Sequence, residues 1–346
     1  MLTPLRYEMN LEPLSKCFFA TGRSCIAHLI ERFGPTNVIL PALVPEGLVM
    51  PFEKKGISQQ YYRLNADLSP NLEDLKRLAH GVRPLIVVVH YFGYCMPTYH
   101  AALLAHEHGG LLLEDCAHCL ANPNQETLGC ADLSLYSLNK VLPVPDGAFM
   151  ISRTPQAVLS YPHDMEPLDD GTLNAYRVHL SRNRVIAAAP TPKTEADCEW
   201  LRMARAHSEA AYNEYYKGIS ADMTPHAASD LSMRVYQAAD FARILSLRRA
   251  NALALVNGLP DSMLFRTDLP QFALPIRIDR GADFGFTIGQ KFFASGIAPM
   301  VVASRWRVMA EIEGDFFANH WLLPINESIK LEEATAMAIS IREISA

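Results

Sequence analysis

Apolar positions follow two patterns along the chain. In the first 155 residues, short runs that are hydrophobic at nearly every position alternate with stretches of helical spacing. The runs are NVILPAL (37–43), LIVVVH (85–90), GLLLE (110–114), LSLYS (133–137) and GAFMIS (147–152). Such runs predict strands buried on both faces, the kind found in mainly parallel sheets. Between them SCIAHLIERF (24–33), NLEDLKRLAH (71–80) and PTYHAALLAHEHG (97–109) predict helices, the last with Pro97 in its first turn and Gly109 as its C-terminal cap. Strands and helices in alternation predict an α/β fold.

From residue 153 onward the pattern changes. TEADCEWLRMARAHSEAAYNEYYK (194–217) and DLSMRVYQAADFARILSLRRANALALV (230–256) predict long helices. FALPIRI and HWLLPI read as short strands, and 283–295 and 328–343 as further helices. This mixture predicts a smaller C-terminal α+β domain. The boundary falls within 225–245, giving a large α/β domain over 1–235 and a small one over 236–346. No repeat or flexible linker separates them, so a site between the two is expected.

Charge and composition narrow the partners. The chain has 346 residues, with 31 Lys and Arg against 37 Asp and Glu, a net charge of −6. That balance gives no general attraction to nucleic acid or an anionic membrane. The first residues lack a secretory pattern, no apolar stretch is long enough to cross a bilayer, and the seven Cys are an odd number. A cytoplasmic protein with reduced thiols and a small-molecule ligand is expected.

In an α/β sheet the ligand site lies at the carboxyl ends of the strands. Those ends are polar here. His90 follows LIVVV, Asp115 follows GLLLE, and Asn139 and Lys140 follow LSLYS. Neither G-x-G-x-x-G nor a phosphate loop ending in Gly-Lys-Ser/Thr is present, which removes the dinucleotide and nucleoside triphosphate readings. Cys116, His118, Cys119 and Cys130 suggest zinc, but no second Cys pair follows at ligand spacing, and no metal is expected. His90 reads as structural, holding the YFG turn, and His100, His106 and His108 as a solvated face.

Pyridoxal phosphate matches the remaining chemistry. It needs a lysine to form an imine, an acid to keep its pyridine nitrogen protonated, and donors for a dianionic phosphate. Lys140 follows an apolar strand, where desolvation favours the neutral amine. Asp115 emerges from another and needs a cationic partner to stay ionised. Thr21, Gly22, Arg23 and Ser24 precede a helix, whose N–H groups and positive dipole end suit an anion, and Ser137 adds a hydroxyl.

These residues resemble the DegT/DnrJ/EryC1/StrS family of sugar aminotransferases, in the aspartate aminotransferase-like superfamily of fold type I. TGRS, PFEKKG, LNADLSPNLEDLKRL, HYFG, EDCAH and YSLNK are similar to successive landmarks of that family. DLSMRVYQAADFARI is similar to its N-x-R-M segment. The resemblance spans about 18–325. It implies a mostly parallel central sheet flanked by helices, with Lys140 carrying the cofactor, Asp115 at the pyridine nitrogen and His118 beside the ring. Gly22, Arg23, Ser24 and Ser137 would line the phosphate, with Asp230 reaching the phosphate of a partner subunit. It further implies transfer of an amino group from glutamate or glutamine to a keto group, plausibly on a nucleotide-linked sugar, in a homodimer with shared sites. Another pyridoxal phosphate reaction on an amino acid, or a catalytically weak binding or regulatory protein of the same fold, is the alternative.

The chain departs from the family at three places. Where many members carry an aromatic residue that stacks on the cofactor ring, PALVPEGL offers Val44, Pro45 and Glu46. The glycine-rich segment after the lysine is replaced by Pro145, Asp146, Gly147 and Ala148, and Asp230 stands where Asn is expected.

Overall fold

A computed structural model describes residues 15–120, 131–157, 159–160, 165–189, 194–221, 223–277, 306–309, 316 and 320–345. The helix expected over 283–295 and Cys130 lie outside them.

The main sheet contains β1 (Ser15–Phe19), β2 (Asn37–Pro41), β4 (Ser58–Tyr62), β5 (Leu85–Val89), β6 (Leu111–Asp115), β7 (Leu133–Ser137) and β8 (Ala148–Ser152). Its spatial order is β1-β8-β7-β6-β5-β2-β4. From β7 to β4 all pairings are parallel, whereas β8 is antiparallel to both β7 and β1. The mainly apolar runs account for its centre. Every residue of β5, β7 and β8 is buried, and each buried Leu, Ile or Val contributes about 1.5–3 kcal/mol relative to exposure.

The topology decides what meets at one edge. Register pairs Val89 with Asp115, and Ser137 with Ala148, which in turn pairs with Phe19. The carboxyl ends of β5, β6, β7 and β1 therefore share an edge. From β1 the chain turns directly into α1 (Gly22–Phe33), so the amino end of that helix opens at the same edge. Thr21 caps α1, its Oγ1 accepting the Ser24 N–H at 3.1 Å. The helix thus begins two residues before Ser24, because Gly22 and Arg23 form its first turn and the threonine, not the serine, is the cap.

Other segments wall this edge. After β2 come β3 (Leu43–Pro45) and α2 (Glu46–Lys54), and β10 (Trp306–Val308) pairs antiparallel with β3. A helical hairpin of α5 (Asp170–Ala188) and α6 (Glu195–Ala221) packs Tyr176, Tyr215 and Ile219 around Ala20, just after β1. α3 (Leu72–Ala79) and α4 (Tyr99–Glu107) form where helices were expected, with Pro97 and Gly109 just outside α4.

The helix expected over 230–256 is two: α7 (Asp230–Ala238) and α8 (Phe241–Gly258). Ala239 is extended, and the Asp240 side chain accepts the Arg243 N–H at 2.9 Å, so an internal cap restarts the helix. A second apolar core joins α8 to α9 (Leu331–Ser345) and the pair β9 (Ala273–Arg277) and β11 (His320–Pro324). Among the described residues no helix is long and apolar enough to cross a membrane.

Candidate active site

A cavity of about 370 Å³ opens at the shared edge. Asp115, His118, Ser137 and Lys140 line it from the strand ends, and Thr21, Gly22 and Arg23 from the start of α1. Six of the eight expected site residues thus meet there. Ser24 is not among the lining residues; it is buried and held to Thr21. Asp230 is exposed at the start of α7, outside its own chain's cavity. The buried neighbour is Asp146, which accepts from Ser229 N (2.8 Å) and Ser229 Oγ (2.6 Å), and from Ser232 Oγ. Asp146 thereby ties α7 to the turn entering β8.

Lys140 is exposed to the cavity. Desolvation lowers its pKa below the usual lysine value; the Asp115 charge opposes this and the Arg23 cation adds to it. Asp115 is buried, and desolvation raises its pKa, offset in part by Lys140 and by the Ala117 N–H, which donates to Oδ1 at 2.9 Å. The Asp115 side chain thus closes an Asx turn, and it still lines the cavity.

His118 is neutral for a geometric reason. Its Nδ1 accepts the Phe92 N–H at 3.3 Å, which leaves the proton on Nε2, and Nε2 lies 3.3 Å from Lys140 Nζ. Desolvation and the Lys140 charge both hold the imidazole well below its ordinary pKa. Phe272 stacks on it at 4.4 Å and 3°.

The turn after β5 sets this arrangement. Phe92 has φ 56°, in the left-handed region, and its carbonyl accepts the Phe272 N–H at 3.0 Å. Gly93, at φ +84°, leaves no room for a Cβ, which would lie 2.7 Å from both the His118 oxygen and the Gln271 nitrogen. His90 holds the turn as expected, its Nδ1 accepting the Met96 N–H at 2.9 Å. Its Nε2 belongs to a buried group with Glu114 and Cys116, whose atoms lie within 4.8 Å of one another. The Met96 bond leaves the proton on Nε2, the atom a metal would need. His106 is not part of a solvated face: its Nε2 lies 3.0 Å from both oxygens of the buried Asp132.

A cationic corner lies at the α1 end. The Arg23 guanidinium rests on the Tyr216 ring, 4.5 Å from its centroid, and packs where a Cβ on Gly47 would lie 3.1 Å away. Arg23 Nε is buried without a hydrogen-bond partner. Tyr215 OH accepts from Asn139 Nδ2 at 3.2 Å, and Tyr176 OH donates to the Asn139 oxygen at 3.1 Å. Tyr176, Tyr212, Tyr215, Tyr216 and Trp306 line the cavity. None was expected from the sequence, since the α5–α6 hairpin and β10 bring them from distant positions and no local pattern marks them.

No protein-family model and no curated protein matches the chain. Solved structures do. A DegT DnrJ EryC1 StrS aminotransferase from Brucella abortus superposes with a TM-score of 0.64 at 12% identity, over 97% of this chain and 87% of that one. Spr1654 from Streptococcus pneumoniae in its PLP form gives 0.65 at 13% identity, over 97% and 88%. DesI in the presence of its TDP-sugar product gives 0.60 at 15% identity, over 95% and 80%. At such identities the likeness speaks for the backbone alone: the chain has the α/β fold of the fold type I aminotransferases.

Proposed function

We propose that the protein is a pyridoxal phosphate-dependent aminotransferase that moves an amino group from glutamate or glutamine to a keto group, plausibly on a nucleotide-linked sugar. The observation that carries this reading is the convergence on one cavity of a lysine amine whose pKa burial lowers and a buried carboxylate. The residues suit the cofactor. Lys140 would bond its carbonyl carbon and Asp115 its pyridine nitrogen, with Gly22, Arg23 and Ser137 at its phosphate. Arg23 Nε, otherwise an orphaned buried donor, would gain an acceptor.

When bound, the cofactor supplies a ring that accepts the electrons released as an amino-acid Cα–H bond breaks. The protein supplies the rest. Lys140 in its neutral form can take the proton from that carbon and return it elsewhere. Asp115 would keep the pyridine nitrogen protonated and would gain there a cationic partner for its buried carboxylate. His118 can donate from Nε2 without adding charge near Lys140. The first turn of α1 offers N–H groups and the positive end of its dipole to the phosphate.

The likenesses to DesI with its TDP-sugar product and to Spr1654 in its PLP form support the choice of acceptor and cofactor. The reading includes a cytoplasmic homodimer in which Asp230, exposed on its own chain, faces the neighbouring subunit. Purified protein incubated with pyridoxal phosphate should absorb in the visible, lose that band on addition of glutamate and release one equivalent of 2-oxoglutarate. A band that glutamate and glutamine leave unchanged rejects transamination.

A further inference from the structure

We propose that Trp306 forms an aromatic wall against the cofactor ring, replacing in space what β3 lacks in sequence. This rests on the reading above that the cavity holds pyridoxal phosphate. β3 brings Pro45 to the cavity, an aliphatic residue with no aromatic face to offer a ring. Its antiparallel pairing with β10 sets Trp306 opposite Pro45 and Arg307 opposite Val44. Residues directly opposite share a sheet face, and neighbours along a strand alternate. Trp306 therefore joins Pro45 in the cavity lining while Arg307 turns away, to Glu53 at 2.9 Å and Glu46 at 3.8 Å. The Met309 N–H extends the pairing to the Ala42 oxygen at 2.8 Å.

The indole is braced by rings and half-open. Its centroid lies 5.8 Å from Tyr91, 6.5 Å from Phe92 and 6.1 Å from His118. Tyr91 is itself fixed by its OH, which donates to the Leu43 oxygen at 2.5 Å. Among the other aromatics lining the cavity, Phe92 stacks on Phe316 at 5.8 Å and Tyr212 lies 4.9 Å from the His179 ring. Phe272 is stacked on His118, Tyr176 and Tyr215 hold Asn139, and Tyr216 carries Arg23. A large aromatic surface lining the same cavity as Lys140 and Asp115 suits a flat, cationic pyridinium, through stacking and cation–π attraction.

The test is a titration of the apoprotein with pyridoxal phosphate, followed by both visible absorbance and tryptophan emission. The chain has three tryptophans; Trp200 is exposed on α6, and Trp321 lies on β11 in the second core. In the wild type, binding should quench emission strongly. Trp306→Phe should keep the affinity within about threefold while losing most of that quenching, and Trp306→Ala should weaken binding about two- to tenfold. Undiminished quenching in Trp306→Phe, or wild-type affinity in Trp306→Ala, would overturn the proposal while leaving the cofactor reading intact. Failure of the wild type to bind pyridoxal phosphate at all would overturn both.

Discussion

Replacing Asp115 by Asn separates stability from cofactor binding. Asparagine keeps a carbonyl oxygen in the place of Oδ1, so the Ala117 N–H bond survives, and the volume barely changes. What is lost is a buried charge. Burial raises the carboxyl's pKa in the folded apoprotein above its ordinary 3.8, so the ionised form opposes folding. The sign follows from linkage: below both pKa values the group is protonated in either state and contributes nothing. As pH rises from the ordinary value to the raised one, the unfolded chain releases its proton first and stability falls; above the raised value the penalty is constant. Asp115→Asn removes that penalty, so the apoprotein should melt at the same temperature or higher at pH 7.

Cofactor binding should move the other way. A hydrogen bond between charged partners is worth about 1.5–3 kcal/mol, so losing the carboxylate's bond to a protonated ring nitrogen should weaken binding about ten- to hundredfold. Thermal melts of the apoprotein and a titration followed by visible absorbance measure both. A variant that melts lower yet binds pyridoxal phosphate as the wild type does would refute the assignment and leave Asp115 a structural residue.

Other substitutions and titrations probe the surroundings. Nitrogen-detected NMR should find His118 neutral, protonated on Nε2, and without titration between pH 5 and 8; an imidazolium signal at pH 6 would contradict the Phe92 and Lys140 geometry. Gly93→Ala should cost about 2 kcal/mol or more in urea unfolding, since a Cβ at φ +84° collides with two backbone atoms; wild-type stability would show that the turn gives way easily. Arg23→Met should weaken pyridoxal phosphate binding and have little effect on binding of pyridoxal, which lacks the phosphate; equal losses for both would remove Arg23 from the proposed phosphate site.

How legible the molecule is in its sequence depends on whether local pattern carries the information. β2, β5, β6, β7 and β8 can be read because strands buried on both faces are apolar at most positions. β1 (SKCFF) and β4 (SQQYY) lie at the two sheet edges, where polar residues are tolerated, and neither has such a run. α2 follows Pro45 and contains Pro51, which hides a helix from any spacing rule. At the site, Asp115, His118, Ser137 and Lys140 follow legible strands, and the parallel topology brings them together. Trp306 comes from a different level, since its place depends on pairing with a strand some 260 residues earlier. The four cavity tyrosines likewise depend on how α5 and α6 fold back over Ala20.

In the proposed function, Lys140 is the amine that bonds the cofactor. Borohydride reduction of the pyridoxal phosphate-loaded protein, followed by digestion and mass spectrometry, tests it directly. One phosphopyridoxyl group per chain is expected, on the peptide containing Lys140, and none in Lys140→Ala treated identically. A label on another lysine, or scattered over several with Lys140 unmodified, would contradict it.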